Sequence, residues 1–404
     1  MFLFNQHDDY GKPLDQVDAE TFNSEAAAGV ERHMSYRTDH AQTPLHSLPS
    51  MAYELDLGAV YVKDEGHRLG LGSFKALGGS YAVMRLVQEQ ASRQLGRPVD
   101  VSDLNSSDVR SVAARMTVAC ATAGNHGRSV AKGAQLVGAK SASFVHDGVS
   151  DGRVAAIARF GAQMIRVAGT YDDCVAEASR VAAAQGWTVV SDTSWPGYER
   201  IPGLVMQGYT ALVREALRQL AAPPTHVFLQ AGVGGLAAAV AGHLALVLGD
   251  RRPTVVIVEP TRAACLLESA RAGHLVKIGH AGATVMAMLE CYEPSLVAWR
   301  VLSRIADAFM TVEEEDAVAI MRRLARPSGS DPAIVAGESG GAGLAGLLRA
   351  SRGRGHSQRA QARQRVQSPG DQHRRRHRSG TLPGCRRSRA WRGHGASRAV
   401  KAQR

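Results

Sequence analysis

GLGSFKALGG, residues 70–79, sets one lysine, Lys75, among a phenylalanine, a leucine and a run of glycines. Desolvation penalises an ammonium group, so a lysine in apolar surroundings keeps part of its amine neutral. A neutral amine attacks carbonyls. The chemistry open to Lys75 is therefore a covalent bond to a flat, carbonyl-bearing group, with Phe74 and Leu77 as apolar walls and Gly78 and Gly79 leaving room for close approach. The competing reading is a surface lysine whose stem lies along the protein. Distant residues decide between the two.

Three further stretches bear on that choice. CATAGNHGRSVA (residues 120–131) stands where a strand turns into a helix, and its Asn125 is an uncharged amide able to donate to or accept from a ring oxygen. HVFLQAGVGGLAAAVAGH (226–243) ends a strand and opens a helix through Gly232, Val233, Gly234 and Gly235. Bare N–H groups backed by a helix dipole form an anion seat there. The spacing matches neither GxGxxG nor GxxxxGK[ST], and it suits a single phosphate. VVSDTSWPGYER (189–200) puts Asp192 at the end of an apolar run. Each stretch has a plain structural reading: an Asn–Gly turn, a tight strand–helix connection, a helix cap. Jointly, a Schiff-base lysine, a neutral amide, a monophosphate seat and a carboxylate at strand ends are the set that pyridoxal 5'-phosphate requires.

The elements that must position these residues follow from the hydropathy pattern. AVYVKD, MTVAC, SASFVH, QMIRV, WTVVSD, HVFLQ and TVVIVEP read as strands. Between them SFKALGGSYAVMRLVQEQASRQ, GRSVAKGAQLVG, GRVAAIARFG and YDDCVAEASRVAAAQG read as helices. Strands nearly continuous in apolar residues, alternating with helices, predict an α/β protein with open parallel sheets. Ligands bind such sheets at the strand C-termini. No fixed-period repeat is present.

The chain has 404 residues, 45% of them hydrophobic and 21% charged, enough for one large or two medium domains. Its first residues lack the basic start and apolar run of a signal peptide. The longest apolar stretch, AGVGGLAAAVAGHLALVLG, is broken by glycines and a histidine and reads as a buried helix, so no membrane association is expected. Five scattered cysteines without a CxxC pair argue against a disulfide framework or a zinc site and suit a reducing cytoplasm. No metal is expected.

The formal charge is +11, from 48 Lys and Arg against 37 Asp and Glu. Residues 351–404 hold 16 of the former and only Asp371 of the latter, which leaves 32 against 36 in residues 1–350, a net of −4. The basicity belongs to the tail. That tail has almost no apolar residues and reads as disordered or as a frame-shifted segment of a GC-rich gene. A nucleic-acid-binding tail is the alternative, although it leaves the four converging motifs without a purpose.

Gly72-Ser73-Phe74-Lys75, Gly124-Asn125-His126 and the Gly232–Gly235 loop resemble fold-type II pyridoxal-phosphate enzymes, the superfamily of tryptophan synthase β and threonine dehydratase. VKDEGHRLGLGSFKALGG, SDTSWPGYERIPGLVMQGYTAL, ATVMAMLECYEPSLVAWRVL and DPAIVAGESGGAGLAGLL resemble the diaminopropionate ammonia-lyase family more narrowly, from about Thr43 to Leu348. The resemblance implies two open, mostly parallel sheets flanked by helices. It also implies a large cofactor domain (1–84 with 200–350), a smaller inserted α/β domain (85–199) and a homodimer.

The activity it implies is elimination of the β-amino group of 2,3-diaminopropionate, a small amino-acid substrate, to pyruvate and ammonia. A serine/threonine-type dehydratase, another β-eliminating lyase, or a catalytically dead homologue are the alternatives. Lys75 would hold the cofactor, and Lys75 or Asp192 would take the Cα proton. Asn125 would contact the ring hydroxyl, Phe74 would flank the ring, and Gly232, Val233, Gly234 and Gly235 would hold the phosphate. Two departures stand out. Ala123 occupies the place of an aspartate taken in the family to serve the D-enantiomer, which predicts a preference for the L form or for a different β-substituted amino acid altogether. The family's closing Asn-Thr-Glu-Gly segment has no counterpart after Arg349, so the hydroxyl for the ring nitrogen is either Ser339 or absent.

Overall fold

SASFVH and TVVIVEP become the inner strands of two separate sheets, with successive residues buried as in strands covered on both faces. The computed structural model describes residues 1–122 and 124–352. Its strands are β1 (Phe2–Phe4), β2 (Leu45–Ser47), β3 (Tyr61–Lys63), β4 (Thr117–Ala121), β5 (Lys140–His146), β6 (Gln163–Val167), β7 (Thr188–Val189), β8 (His226–Gln230), β9 (Thr254–Pro260) and β10 (Ala308–Val312). One sheet runs β6-β5-β4-β7 and is parallel throughout, with Cys120 opposite Ser143 and Ala119 opposite Val189. The other runs β1-β10-β9-β8, parallel except for β1, which adds an antiparallel edge through Leu3 opposite Phe309.

The two-sheet α/β class agrees with the expectation from sequence; three details do not. AVYVKD lies in neither parallel sheet, because β3 pairs antiparallel with β2 in a two-stranded ribbon. WTVVSD contributes only Thr188 and Val189 to the ladder, and Asp192 lies beyond it. AFMTV, a strand not anticipated, is fully buried as β10. Ala123 and the tail from residue 353 onward, for which the sequence carries expectations, lie outside the described residues. We propose the domain division 1–84 with 200–350, holding the β1-β10-β9-β8 sheet and the β2–β3 ribbon, against 85–199, holding the β6-β5-β4-β7 sheet; the helix Lys75–Leu95 runs unbroken through its first boundary.

Glycines draw three helices together beneath the site. A Cβ on Gly78 would lie 2.5 Å from the Val205 carbonyl oxygen, and one on Gly208 would lie 2.8 Å from the Gly78 Cα. On the opposite side, a Cβ on Gly79 would meet Ser129 Oγ at 2.8 Å and one on Gly133 would meet Ser80 Cα at 2.7 Å. Helix Lys75–Leu95 is thereby clamped between Asn125–Val137 and Arg200–Gln219 at backbone contact. This corrects the role read for Gly78 and Gly79: they admit neighbouring helices, not a ligand ring. Tyr81, Val83, Val87, Val205 and Val213 fill the core around them. A second cluster (Val258, Met310, Ile320, Leu324, Ala345, Leu348) covers the other face of the β8–β10 sheet. Helix Gly235–Leu248, the longest apolar stretch, is buried for most of its length, and no described helix is long and apolar enough to cross a membrane.

Candidate active site

Ser73 and Phe74 lead the chain into the helix that starts at Lys75, and Ser73 Oγ accepts the Lys75 N–H at 3.3 Å. The start places Lys75 where its side chain leaves the first turn toward the loop after β7. There Nζ donates to Asp192 Oδ2. Both side chains are largely buried, 23% and 16% exposed. Burial alone would lower the Lys75 amine, but the Asp192 carboxylate outweighs it and holds the amine above the ordinary lysine value. Burial would raise Asp192, and the Lys75 charge outweighs that too, holding the carboxyl well below the usual carboxylate range. The lysine is therefore a paired ammonium here, not the partly neutral amine expected from its apolar neighbours.

Asp192 also joins the other motifs. His126, next to Asn125 in GNHG, brings Nδ1 to 3.9 Å from Asp192 Oδ2. The backbone carbonyl of Asp192 lies 3.6 Å from where a Gly235 Cβ would stand. Asn125 opens helix Asn125–Val137, and its Oδ1 accepts from Arg128 Nη1 at 3.2 Å. Arg128 Nη2 donates to the Leu71 carbonyl at 2.5 Å, which ties the lysine loop to the Asn125 loop. Asn125 has its amide oxygen engaged, so its NH2 group is the end available to a ring oxygen. Thr122 shapes the turn, accepting from Gly124 N–H at 3.1 Å and Gly127 N–H at 3.0 Å.

The glycine loop is held from below. Gly234 has φ +96°, a conformation that costs any side-chain-bearing residue strain. A Cβ there would also press on Ala298 and Leu266, at 3.1 and 3.2 Å. A Cβ on Gly232 would lie 2.9 Å from Cys291 Sγ. Ser295 N–H donates to the Val233 carbonyl at 2.9 Å, and Ser295 Oγ is 2.6 Å from Ser194 Oγ, so the loop is stitched to the Asp192 segment. Cys265 Sγ reaches the Gly232 carbonyl at 3.7 Å. Above the loop, the first-turn N–H groups of helix Gly235–Leu248 have no intrahelical acceptors. Ser339 Oγ accepts from Met288 N–H at 3.3 Å, and the Met288 carbonyl lies 3.5 Å from the Gly232 Cβ position. That brings Ser339 to the rim of the same region. Phe74 lies on Tyr209, edge to face with centroids 5.1 Å apart, and Lys75 Nζ is 5.9 Å from the Phe74 centroid.

The structure thus gathers Lys75, Asp192, Asn125, the Gly232–Gly235 loop and Ser339 by short links. Four neighbours carried no assignment in the sequence. His126, Tyr209 and Cys291 sit inside quoted motifs, and Glu259 is the penultimate residue of the strand run TVVIVEP. Burial raises the Tyr209 hydroxyl and pushes the Cys291 thiol up to about 11. Glu259 is fully buried; its two oxygens accept Leu266 N–H and Leu267 N–H, both at 2.8 Å, at the start of the helix whose Cys265 touches Gly232. Burial pushes its carboxyl up to about 8.

The residues present fit pyridoxal phosphate. A buried amine sits beside a helix N-terminus whose glycines leave N–H groups bare for a phosphate, with an amide NH2 and a hydroxyl at the edges. Among the described residues, no group of His, Cys, Asp and Glu could hold a metal ion.

Comparison with known proteins places these features in context. Residues 36–361 match the family described as pyridoxal-phosphate dependent enzyme. The diaminopropionate ammonia-lyase of Escherichia coli (strain K12) is 38% identical over 349 residues, covering 83% of this chain and 86% of that protein. The crystal structure of the Escherichia coli diaminopropionate ammonia-lyase with an aminoacrylate–PLP azomethine reaction intermediate superposes with a TM-score of 0.77 at 35% identity, covering 87% of this chain and 86% of that one. Its complex with D-serine gives 0.76 at 34%, with the same coverage.

Proposed function

Because the chain belongs to the pyridoxal-phosphate dependent enzyme family, we propose that it is a carbon–nitrogen lyase that eliminates the β-amino group of L-2,3-diaminopropionate. With water, the products are pyruvate and two molecules of ammonia. The observation that carries this reading is the Lys75–Asp192 pair beside the glycine loop.

In this reading Lys75 anchors the cofactor, the N–H groups of Gly232, Val233, Gly234 and Gly235 hold its phosphate, Asn125 donates to its ring hydroxyl, Ser339 faces its ring nitrogen and Phe74 flanks it. Bound there, pyridoxal phosphate supplies a conjugated ring that withdraws electrons from the carbon being deprotonated. The protein's own part is proton traffic. Nζ of Lys75 and Oδ2 of Asp192 share one proton position, so either can take the Cα proton and the same pair can return a proton to the departing amine. The burial of both groups keeps water from competing for that proton.

The choice of leaving group is supported by the 38% identity to a diaminopropionate ammonia-lyase. The choice of the L form rests on Ala123, an alanine where the resembled family has an aspartate, because alanine cannot act as a base. The resemblance also carries a homodimer, and the scattered cysteines a cytoplasmic setting, to be read by light scattering and fractionation. The deciding assay supplies the purified, cofactor-loaded protein with L- and D-2,3-diaminopropionate, L- and D-serine and L-threonine, and measures pyruvate, 2-oxobutyrate and ammonia. Pyruvate from L-2,3-diaminopropionate in excess over every other substrate is expected. Equal turnover of the two enantiomers removes the L preference, and faster turnover of serine or threonine makes the protein a dehydratase.

A further inference from the structure

His126 is 4% exposed, and its two ring nitrogens have different fates. Nε2 lies 2.8 Å from the Val190 carbonyl oxygen. A carbonyl can only accept, so Nε2 carries a hydrogen. Nδ1 is buried and has no hydrogen-bond partner among the described residues. It faces Asp192 Oδ2 at 3.9 Å, on the same carboxylate oxygen that receives Lys75 Nζ. A buried ring nitrogen left without a partner costs free energy unless a second state of the site uses it.

The charges say which state that is. With Lys75 as an ammonium and Asp192 as a carboxylate, the buried cluster is neutral and His126 needs no charge. When Lys75 is a free base, as a nucleophile or proton acceptor must be, Asp192 is left as a buried anion without a counter-ion, a costly arrangement. A proton on His126 Nδ1 restores neutrality. The other titratable groups against this cluster do not serve. The Tyr198 hydroxyl donates to the Val189 carbonyl at 2.8 Å and accepts from Ser191 N–H at 3.1 Å. The Cys120 thiol sits 3.6 Å from Ser143 Oγ and burial pushes it up to about 12. Tyr209 and Cys291 are acids, neutral when protonated, and cannot supply a positive charge. On the His126 helix itself, Arg128 is engaged with Asn125 and Leu71.

We propose that His126 is the switchable counter-charge of the Lys75–Asp192 pair: neutral while Lys75 is an ammonium, and protonated at Nδ1 whenever Lys75 has given its charge up. The proton lost from Nζ passes to Oδ2 and on to Nδ1, so no outside acid or base is consumed. His126 acts through Asp192 and is a positioning residue for its charge, not a group that touches substrate. The inference rests on Lys75 and Asp192 being the working pair, but its test reads protonation without turnover, so either idea can fail alone.

The test is 15N NMR of the full-length protein labelled at histidine nitrogens, with the His126 signal identified by its loss in His126→Gln. The Nδ1 resonance is followed over a pH range of about 5 to 9 in the native protein, in Lys75→Met and in Asp192→Asn. Removing the Lys75 charge is expected to raise the midpoint of His126 by about one pH unit or more, a tenfold gain in proton affinity, and removing the Asp192 charge to lower it by a similar amount. A midpoint in Lys75→Met within about 0.3 units of the native one overturns the proposal. If Lys75→Met does not fold by circular dichroism, Asp192→Asn decides alone: an unchanged midpoint there overturns it as well.

Discussion

Lys75 and Asp192, 117 residues apart in the chain, share one hydrogen bond at the bottom of the site, and each reverses the effect of burial on the other. Neither charge would be tolerated alone in so enclosed a place. The pair is stable because the two arrive together, one on a helix start and one on a loop beyond a two-residue strand.

Their coupling should be visible as non-additive stability. Asp192→Asn leaves the ammonium unpaired, expected to cost roughly 3–5 kcal/mol in chemical denaturation near neutral pH, whereas Lys75→Met leaves the carboxylate with only a proton on His126 to balance it and is expected to cost less. The double variant should be more stable than either single one. The depressed Asp192 adds stability above its unfolded value near 3.8 and loses it as pH falls further; the raised Lys75 adds stability below its unfolded value near 10.5 and loses it as pH rises further. The non-additivity should therefore be full between those limits and fade outside them. Strict additivity at neutral pH would contradict the pairing.

Activity gives a separate reading of Asp192. Asp192→Asn keeps the shape and removes the proton acceptor, and kcat with L-2,3-diaminopropionate should fall by about 10²- to 10⁴-fold. Stopped-flow spectra of the loaded variant should show substrate binding retained. A loss confined to KM would assign Asp192 to binding instead.

Glu259 carries the opposite pH signature. Its carboxyl is raised from 4.5 to about 8, so the folded chain keeps a proton that the unfolded chain has lost. That stabilisation is complete below the unfolded value and drains away as pH rises toward 8, with a slope of at most about 1.4 kcal/mol per pH unit. Glu259→Gln cannot titrate. Its stability deficit relative to the native protein should shrink between pH 5 and 8, measured as urea midpoints; parallel curves would show that Glu259 is ionised in the fold.

Gly78 tests the helix clamp. In Gly78→Ala the new methyl would sit 2.5 Å from the Val205 carbonyl oxygen, so the two helices must separate. A loss of roughly 1–3 kcal/mol is expected, with Gly208→Ala similar and the double variant losing less than the sum. Neutral behaviour of both would mean the helices are not in backbone contact.

Gly234 tests the loop. At φ +96°, Gly234→Ala strains the backbone and crowds Ala298. The affinity for pyridoxal phosphate, titrated by fluorescence, should fall about tenfold or more, while the affinity lost in Asn125→Ala should be smaller because one ring contact is weaker than a phosphate seat. Equal or greater loss in Asn125→Ala would shift the main cofactor contact away from the loop.

Much of the site was legible because its residues sit at pattern breaks. Lys75, Asn125, Asp192 and Gly232–Gly235 each interrupt the alternation of apolar strand and helix, where an open sheet exposes its strand ends. His126 and Glu259 were passed over for a physical reason. A histidine inside GNHG and a glutamate after four buried apolar residues look like turn and strand end; their significance lies in which distant atom they face. AFMTV carries as many β-branched residues as MTVAC or QMIRV, and its place as a strand is defined by pairing with both β9 and β1.

The sequence by itself determined the class of fold, the loops at the strand ends and the residue types within reach of a flat phosphorylated ring, because hydropathy period and glycine placement are local properties. Only the tertiary structure decided the protonation of Lys75, the purpose of Gly78 and Gly79, and the line from Lys75 through Asp192 to His126. Charge state and close packing depend on what lies across a few ångströms of space, and residues 75, 126 and 192 meet only once three helices and two sheets have folded around them.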